Sequence, residues 1–350
     1  MCGIVGVVSD RKVERRKFRK MLDIISHRGP DDEGIEYFRV ANKQVSLGHK
    51  RLSIIDLSTK GREPMTNEDG SIWIILNGEI YNYMSLKQKL GRHRFRSGTT
   101  TEVLVHLYEE KGTDLLQDLN GMFSFALLDL RKSELYVCRD RLGIKPMYYY
   151  RSRGEFIFAS EIKSILAAGI KRELNYELLS CFFHLNYIPG QETLLKGVKR
   201  LPPGNYIKFD LKSDYFSIDR YWDLPIIEDY LPFEEAKNGI YGILQDSVEK
   251  RLMADVPVGN LLSGGLDSSI IAYLIRERRE VKHYCIKKRK SDIVEEGVSD
   301  DYYYARKLSN IYDLDLNPIE IGPDLLTERL LKKVIWYQDD IIADPALITT

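Results

Sequence analysis

The chain has 350 residues, of which 43% are hydrophobic and 30% are charged, an ordinary composition for a globular chain of about two domains. Its 52 lysines and arginines balance 52 aspartates and glutamates, so no whole-chain attraction to nucleic acid or to an anionic membrane is expected. No apolar run approaches the roughly 20 residues that a membrane-spanning helix needs.

The N-terminus and the cysteines of the chain indicate in which cellular compartment the protein acts. The apolar N-terminus precedes its basic residues, which is the reverse of the order in a signal peptide. The four cysteines contain no Cys-x-x-Cys pair: Cys2, Cys138, Cys181 and Cys285. This usage predicts a cytoplasmic protein with neither a disulfide framework nor a cysteine-based zinc site.

The N-terminal part of the chain alternates short β-rich runs with helical patterns. Strands are predicted at Ile4–Val8, Ile72–Leu76, Phe123–Leu130, Leu135–Cys138 and Phe156–Ala159. Helical periodicity covers Val13–Ile25 and Glu102–Glu110. Strands with interleaved helices predict a layered α+β domain, which we assign to residues 2–210.

The pattern of apolar and polar residues changes after this domain. Residues 211–232 have no clear period and contain two prolines in Lys212–Pro232, so an irregular linker is predicted. Helices and strands then alternate through residues 233–350, at Glu234–Met253, Pro257–Leu262, Ser269–Glu277, His283–Ile286, Asp300–Tyr312, Leu316–Ile321 and Leu325–Tyr337. Such alternation predicts a parallel α/β sheet. Three strands precede Thr350, whereas open α/β sheets commonly have about five or six, so an incomplete domain is expected.

The first candidate site is Cys2, which directly follows the initiator Met. Removal of Met1 would leave a thiol and an α-amine on one residue, and the amine, with a reference pKa near 8, would act as a base. Taken alone, the alternative is a small buried residue on the first strand.

Further motifs follow Cys2 in a fixed order. They are His27-Arg28-Gly29-Pro30-Asp31, Gly48 to Asp56, Asn77-Gly78-Glu79-Ile80-Tyr81-Asn82, Gly121-Met122-Phe123 and Arg139 to Pro146. Together with Met1 to Gly6 they resemble the class II glutamine amidotransferase domain, an N-terminal-nucleophile hydrolase. The Arg139–Pro146 stretch, with Tyr148-Tyr149, is similar to the asparagine synthetase branch.

The resemblance implies a four-layer αββα fold and a role for each matched residue. Cys2 would attack the side-chain amide of glutamine, while the Asn77 side chain and the Gly78 N–H would form the oxyanion hole. Arg51 would bind the glutamine α-carboxylate, and Glu79 would face the α-ammonium. Asn77-Gly78 is also a common hairpin-turn pair, so a turn is the alternative at that place.

One position departs from the family pattern within this site. Thr100 stands where the family usually has an Asp that accepts from the α-ammonium of glutamine, so it would supply a neutral acceptor instead. Glu102 is the alternative partner for that ammonium.

The second candidate site is Ser263-Gly264-Gly265-Leu266-Asp267-Ser268-Ser269, between an apolar run and a helical stretch. A Gly-rich turn from strand to helix presents backbone N–H groups and a helix N-terminus to an anion. The sequence SGGxDS resembles the pyrophosphate loop of ATP pyrophosphatases, and no Lys-Ser/Thr of a Walker loop follows the glycines. A generic Gly-rich turn is the alternative.

The resemblance implies that this loop binds ATP, through Leu262, Ser263, Gly264, Gly265, Asp267, Ser268 and Ser269. Asp267 would also coordinate Mg²⁺, which prefers oxygen ligands. Asp339 to Pro345 resembles a downstream acidic segment of the family in which Asp344 is the second metal ligand. Asp340 and Ile341 depart from the family's Glu and Pro.

The implied reaction joins the two sites. ATP adenylates a carboxylate, and ammonia from glutamine displaces AMP to give an amide, with aspartate the default acceptor and asparagine the default product. The implied partners are these small molecules, with a homodimer as a further expectation and no nucleic acid or membrane. Two alternatives stay open: a related amide synthetase for another carboxylate, such as a sugar acid or natural-product intermediate, and a truncated chain with only glutaminase or binding activity.

Overall fold

The computed structural model of the chain describes residues 1–226, 230–288, 301–322 and 327–343. Contacts between residues divide it into two units. The first contains Met1–Pro225 and a segment that begins at Asp339, and the second runs from Ile226 to Gln338.

Two six-stranded antiparallel sheets form the centre of the first unit. Sheet A has the order β10-β8-β9-β1-β3-β2, with β1 (Gly3–Ser9), β2 (Asp32–Val40), β3 (Lys43–Arg51), β8 (Tyr148–Ser152), β9 (Glu155–Ala159) and β10 (Val198–Arg200). Sheet B has the order β12-β11-β7-β6-β5-β4, with β4 (Met65–Thr66), β5 (Ile72–Ile80), β6 (Gly121–Asp129), β7 (Glu134–Arg139), β11 (Asn205–Asp210) and β12 (Phe216–Arg220).

The side chains of these strands face two different cores, because successive residues of a strand point to opposite faces. Ile4 and Val8 of β1 belong to a cluster that also contains Ile75 of β5, so this core joins the two sheets. Val5 and Val7 of β1 belong to a second cluster, on the other face of sheet A.

Helices cover the outer face of each sheet. Those of the first unit are α1 (Arg15–Asp23), α2 (Tyr83–Lys89), α3 (Thr100–Lys111), α4 (Leu115–Asp118), α5 (Ile162–Ala167) and α6 (Leu179–Leu185). Buried residues of α1 and α5 pack on sheet A, and those of α2, α3 and α4 pack on sheet B. The four-layer αββα fold that the resemblance implies is therefore confirmed.

The second unit contains a three-stranded parallel sheet of order β13-β14-β15. Its strands are β13 (Gly259–Leu261), β14 (Lys282–Lys288) and β15 (Leu316–Ile321). Its described helices are α7 (Phe233–Arg251), α8 (Leu266–Ile275), α9 (Asp301–Tyr312) and α10 (Glu328–Gln338). The predicted parallel α/β arrangement is confirmed.

Local structure differs from the sequence expectation at three places. Phe216–Arg220 forms strand β12 inside the segment that was expected to be irregular, because Phe216 packs on Phe156 and Phe209 of the core between the sheets. Helix α8 begins at Leu266 rather than at Ser269. Asn77 and Gly78 lie inside β5 and pair with Ser124 and Phe123, so they do not form a hairpin turn.

No helix in the described parts of the chain combines the length and apolar character that a membrane crossing requires.

Candidate active site

One narrow pocket in the first unit gathers most of the residues that the sequence analysis assigns to glutamine. It is bounded by the start of β1, the end of β3, the middle of β5 and the first turn of α3. Its lining includes Cys2, Arg51, Gly78, Glu79 and Thr100. These residues are separated by up to 98 positions in the chain, and the two sheets bring them together.

Cys2 lies at the edge of this pocket, next to the backbone of Leu52. Its Sγ is 3.4 Å from the Leu52 N–H and 3.7 Å from the Leu52 carbonyl. Arg28 holds the Cys2 carbonyl through its Nε at 2.9 Å. Burial, together with the nearby Glu63, raises the pKa of the Cys2 thiol to about 11. With Met1 attached, the thiol is therefore protonated at neutral pH.

Asn77 is completely buried, and both polar atoms of its side-chain amide lack a hydrogen-bond partner among the described residues. A buried amide without partners costs free energy, so a group that hydrogen-bonds to it would be stabilised at this place. Gly78 follows it in β5, where a Cβ would lie 2.1 Å from the Met122 carbonyl oxygen. Only glycine fits at this point of the strand.

Arg51 has its guanidinium turned toward the loop that follows β3. Its terminal nitrogens donate to the Ser58 carbonyl at 2.7 Å and to the carbonyls of Ile55 and Asp56. Gly61 makes room for this group, because a Cβ there would lie 2.0 Å from an Arg51 nitrogen. The arginine thus organises the loop that borders the pocket, and its planar fork has five N–H donors in all.

Glu79 and Thr100 form a polar pair on the pocket wall. The Thr100 hydroxyl donates to a Glu79 carboxylate oxygen at 3.4 Å. Burial raises the pKa of Glu79 to about 7, and this hydrogen bond opposes the shift. A cation bound against Glu79 would favour the charged carboxylate.

Glu102 does not face the pocket. Its carboxylate accepts from the N–H groups of Arg96 and Ser97, both at 2.7 Å, and from the Ser97 hydroxyl at 2.6 Å. Burial opposes ionisation of Glu102, but its contact with His106 and these hydrogen bonds lower its pKa to about 2. Glu102 therefore organises the backbone before α3, and it is not among the residues that line the pocket.

Glu63 is a pocket residue that the sequence analysis missed. It is 5% exposed, accepts from the Thr101 hydroxyl at 2.8 Å and from the Leu76 N–H at 2.6 Å, and lies 3.5 Å from His49. Burial raises the pKa of Glu63 to about 8 and lowers that of His49 to about 3. At these values His49 is neutral and Glu63 is mostly protonated at pH 7. No local pattern around Arg62-Glu63-Pro64 signals this environment.

The Arg139–Pro146 motif has a structural role in forming the loop after β7. The buried carboxylate of Asp140 accepts from the N–H groups of Leu142, Ile144 and Lys145, and from that of Phe123. His27 likewise lies against a carboxylate, that of Glu161 at 3.0 Å.

The second candidate site is the loop between β13 and α8. Gly264 has a φ of +78°, and a Cβ there would lie 2.6 Å from the Ala305 nitrogen and from the Tyr304 Cβ. The Ser263 and Ser268 hydroxyls are 3.0 Å apart, and Ser268 also donates to the Gly265 carbonyl. The loop lies at the carboxyl end of a parallel strand and opens a helix, the setting that a phosphate-binding loop requires.

Exposure within this loop suits contact with a ligand. Asp267 is an exposed residue in the first turn of α8, whereas Leu262 is buried in the small core of the second unit. Asp344, the other expected metal ligand, lies outside the described residues.

The neighbours of Asp344 have structural partners within the first unit. Asp339 accepts from the N–H groups of Ile162 and Lys163 at the start of α5. Asp340 accepts from the Tyr148 hydroxyl at 2.8 Å and from Arg200 Nε at 2.7 Å. Asp340, which replaces the family's Glu, thus forms an ion pair with Arg200.

Comparisons with known proteins agree with this architecture. Residues 1–222 match the glutamine amidotransferase domain, and residues 239–350 match asparagine synthase. A protein of Methanocaldococcus jannaschii named as a glutamine-hydrolysing asparagine synthetase is 36% identical over 98% of this chain and 69% of its own length. A glutamine-hydrolysing asparagine synthetase of Bacillus subtilis is 34% identical over 99% of this chain and 48% of its own length. Amidase chry2 of Gibberella zeae is 31% identical over 98% of this chain and 54% of its own length.

The fold and the two sites define a two-part chain, an αββα amidotransferase domain followed by an α/β domain with a Gly-rich anion loop. The chain belongs to the glutamine-hydrolysing asparagine synthetase family. It spans between about half and about two thirds of the length of these relatives.

Proposed function

We propose that the protein hydrolyses glutamine at Cys2 and uses the ammonia to amidate a carboxylate activated by ATP. The observation that carries this proposal is the glutamine pocket, where Cys2, Arg51, Gly78 and Glu79 meet. Asn77, with its buried and unpartnered amide, directly precedes Gly78 in β5 but is not itself among the lining residues. Family membership adds to this observation, and aspartate is the default acceptor.

The glutaminase step begins with removal of Met1, which exposes the α-amine of Cys2. The amine takes the thiol proton, and Sγ attacks the side-chain carbonyl carbon of glutamine. The Asn77 amide and the Gly78 N–H then donate to the oxyanion, which satisfies a donor that is otherwise unpartnered. Ammonia leaves with a proton, and water hydrolyses the remaining thioester to glutamate.

Recognition of the glutamine backbone falls to the two charged residues of the pocket. Arg51 retains N–H donors beyond those that hold the loop, and they suit an α-carboxylate. Burial raises the pKa of Glu79 to about 7, so its carboxyl is only partly ionised at pH 7 and would become fully charged against an α-ammonium. Thr100 supplies a hydroxyl beside it.

The Ser263–Ser269 loop is the proposed ATP site. Its fit rests on Gly264, whose backbone leaves no room for a Cβ, and on the two serine hydroxyls at the start of α8. Asp267, and by resemblance Asp344, would hold Mg²⁺. The ion would neutralise phosphate charge during adenylation.

The acceptor carboxylate is the open part of the proposal. A second candidate function, amidation of a different carboxylate, is favoured by the likeness to amidase chry2 over nearly the whole chain. Asp340 stands where the family has a Glu, and its contacts with Tyr148 and Arg200 explain this difference without reference to the acceptor. Pyrophosphate exchange into ATP, measured with aspartate, glutamate, sugar acids and aromatic acids in turn, separates the two candidates.

The experiment that tests the glutaminase proposal compares Cys2→Ala with Cys181→Ala. Cys181 is partly exposed on α6 and is not a pocket residue. We expect Cys2→Ala to abolish glutamate release from glutamine, and Cys181→Ala to leave it unchanged. Mass spectrometry of active protein should show a chain that starts at Cys2. Comparable rates for both variants, or an intact Met1 in active protein, would contradict the proposal.

Compartment and assembly are further parts of the proposal. The scattered spacing of the four cysteines supports action in the reducing cytoplasm. A homodimer stays a prediction that sedimentation of the purified chain would test.

A further inference from the structure

A cluster of two histidines and two glutamates lies on the outer side of sheet B, apart from the glutamine pocket. The side chains are Glu68, His93, His106 and Glu109, and one ligand atom from each lies within 4.8 Å of all the others. Glu68 belongs to the turn between β4 and β5, and His93 follows α2. His106 and Glu109 lie three residues apart on α3, so they share one face of the helix.

The distances within this cluster are close to those of a tetrahedral metal site. His106 Nδ1 is 3.4 Å from Glu68 Oε2 and 3.2 Å from Glu109 Oε2. His93 Nδ1 is 3.6 Å from Glu68 Oε1 and 3.7 Å from Glu109 Oε2. Zinc bonds of about 2.0–2.2 Å to nitrogen and oxygen place tetrahedral ligand atoms roughly 3.3–3.6 Å apart.

A network of direct hydrogen bonds predicts different spacings. A charged hydrogen bond between histidine and carboxylate would be about 2.7–2.9 Å long. His106 Nδ1 and Glu109 Oε2, 3.2 Å apart, are within reach of a longer hydrogen bond, whereas the other three distances are 3.4–3.7 Å. The two imidazole rings are stacked, with centroids 4.4 Å apart. Two protonated rings at this separation would repel each other, whereas two neutral rings sharing a cation would not.

The surroundings of the cluster resemble those of metal ligands in proteins. The second ring nitrogen of His93 faces Glu110 at 3.4 Å, and that of His106 faces Glu102 at 3.9 Å. Histidine ligands commonly have a carboxylate at this position, which orients the ring. The other oxygen of Glu109 accepts from Asn67 at 2.8 Å and from Arg131 at 3.1 Å, so Oε2 is the oxygen that faces the cluster.

Charge and burial also favour a cation. Two carboxylates with two neutral imidazoles, the forms that bind a metal, would carry a charge of −2, and Arg131 lies 3.1 Å from the outer oxygen of Glu109. His106 is 1% exposed, so its side of the cluster is shielded from water. With four ligands from the protein, the site has the closed form of structural sites rather than the open form of catalytic ones.

We propose that Glu68, His93, His106 and Glu109 bind a divalent transition metal, with zinc the best fit to two imidazoles and two carboxylates. The ion ties the β4–β5 turn and the segment after α2 to helix α3. The first turn of α3 supplies Thr100 and Thr101 to the pocket, so the metal stabilises one wall of the proposed glutamine site. The metal site does not depend on the proposed function.

The test uses the full chain carrying Cys2→Ala, so that the pocket thiol does not bind the metal. Protein freed of metal with a chelator is titrated with ZnCl₂ by calorimetry, and Co²⁺ replaces Zn²⁺ in a parallel spectroscopic titration. We expect one zinc ion per chain, a higher thermal midpoint with zinc, and the visible absorption of tetrahedral cobalt. His106→Gln and Glu109→Gln should weaken zinc binding by at least roughly 100-fold, more than loss of an outer partner does.

The matched controls are His184→Gln and Glu36→Gln, which change exposed residues outside the cluster and should leave zinc binding unchanged. His93→Gln, at the edge of the cluster, is a second ligand variant in case the buried His106 variant does not fold. Sub-stoichiometric zinc in the parent, or equal affinity in the folded ligand variants and the controls, would overturn the proposal.

Discussion

At the scale of single residues, burial decides the charge of the glutamine pocket. Glu63 is buried in it, Glu79 and Cys2 are partly buried, and desolvation raises the pKa of each. The pocket of the ligand-free protein is therefore much less negative at pH 7 than its residue types suggest. A ligand with a free ammonium group would favour the ionised carboxylates and so make the pocket residues more negative.

The raised pKa of Glu63 makes the stability of the protein depend on pH. The unfolded chain loses this proton at the ordinary glutamate pKa near 4.5, whereas the folded protein keeps it up to about 8. Folded protein therefore binds more protons in this window, and stability falls as pH rises through it. Glu63→Gln removes the titration, so the variant should gain stability relative to the parent between about pH 5 and pH 8.

The size of this effect is a few kcal/mol, because each pKa unit corresponds to about 1.4 kcal/mol. Thermal unfolding midpoints of parent and variant, measured across pH, check the prediction. Glu36→Gln, at an exposed position of β2, is the control and should show no such trend. A constant difference between Glu63→Gln and the parent at all pH values would contradict the assignment.

Thr100→Asp should strengthen glutamine binding. A carboxylate at this place adds a charged partner for the α-ammonium, and hydrogen bonds to charged groups contribute roughly 1.5–3 kcal/mol against about 0.5–1.5 for neutral ones. We expect the apparent affinity for glutamine to rise by several-fold to tens of fold, since about 1.4 kcal/mol of binding free energy corresponds to a tenfold change in affinity.

The position of Thr100 next to Glu79 adds a cost in the absence of ligand. Two carboxylates in contact repel each other, so Thr100→Asp should lower the thermal midpoint of the free protein, and glutamine should restore it. Thr100→Asn is the neutral control of matching size. Weaker glutamine use by the Asp variant than by the Asn variant would place the ammonium elsewhere.

At the scale of elements, the turn between β13 and α8 depends on a glycine in the left-handed region. Gly264→Ala brings a Cβ to 2.6 Å from backbone and side-chain atoms of α9 at a φ of +78°. Strain of this kind costs about 1–3 kcal/mol. We expect faster hydrogen exchange in Gly259–Leu261 and Leu266–Ile275.

Gly265→Ala is the matched control, since its Cβ would meet only the Ser263 hydroxyl, at 3.4 Å. The control should cost no more than about 1 kcal/mol, the usual range for a helix N-cap substitution. Equal exchange rates in the two variants would show that the turn tolerates a side chain at Gly264.

At the scale of the whole molecule, the two proposed activities use residues of different units. Cys2 belongs to the first unit and Asp267 to the second. Asp267→Asn should slow pyrophosphate exchange by at least roughly tenfold, as expected for a perturbed metal site, and leave glutamine hydrolysis unchanged. Asp246→Asn, an exposed change on α7, is the control. Parental exchange rates in Asp267→Asn would refute its role in binding magnesium.

Much of this protein follows from local patterns in its sequence. The alternation of Ile4 and Val8 with Val5 and Val7 predicts a strand between two apolar layers, because side chains alternate across a strand. The Ser263–Ser269 segment predicts a strand–turn–helix, because glycine alone tolerates its backbone and steric limits are local. The order of the motifs around Cys2 indicates the family before any contact between them is known.

Other features depend on contacts between residues that lie far apart in the chain. Three features have no local signature in the sequence. They are the raised pKa of Glu63, the strand at Phe216–Arg220, and the cluster of two histidines and two glutamates that contains Glu68 and Glu109. A pKa shift depends on what buries the group, an edge strand depends on its neighbour, and a metal site depends on side chains from several elements. The sequence by itself thus determined the elements and the candidate chemistry, while the tertiary structure decided which groups are buried together and what charge they carry.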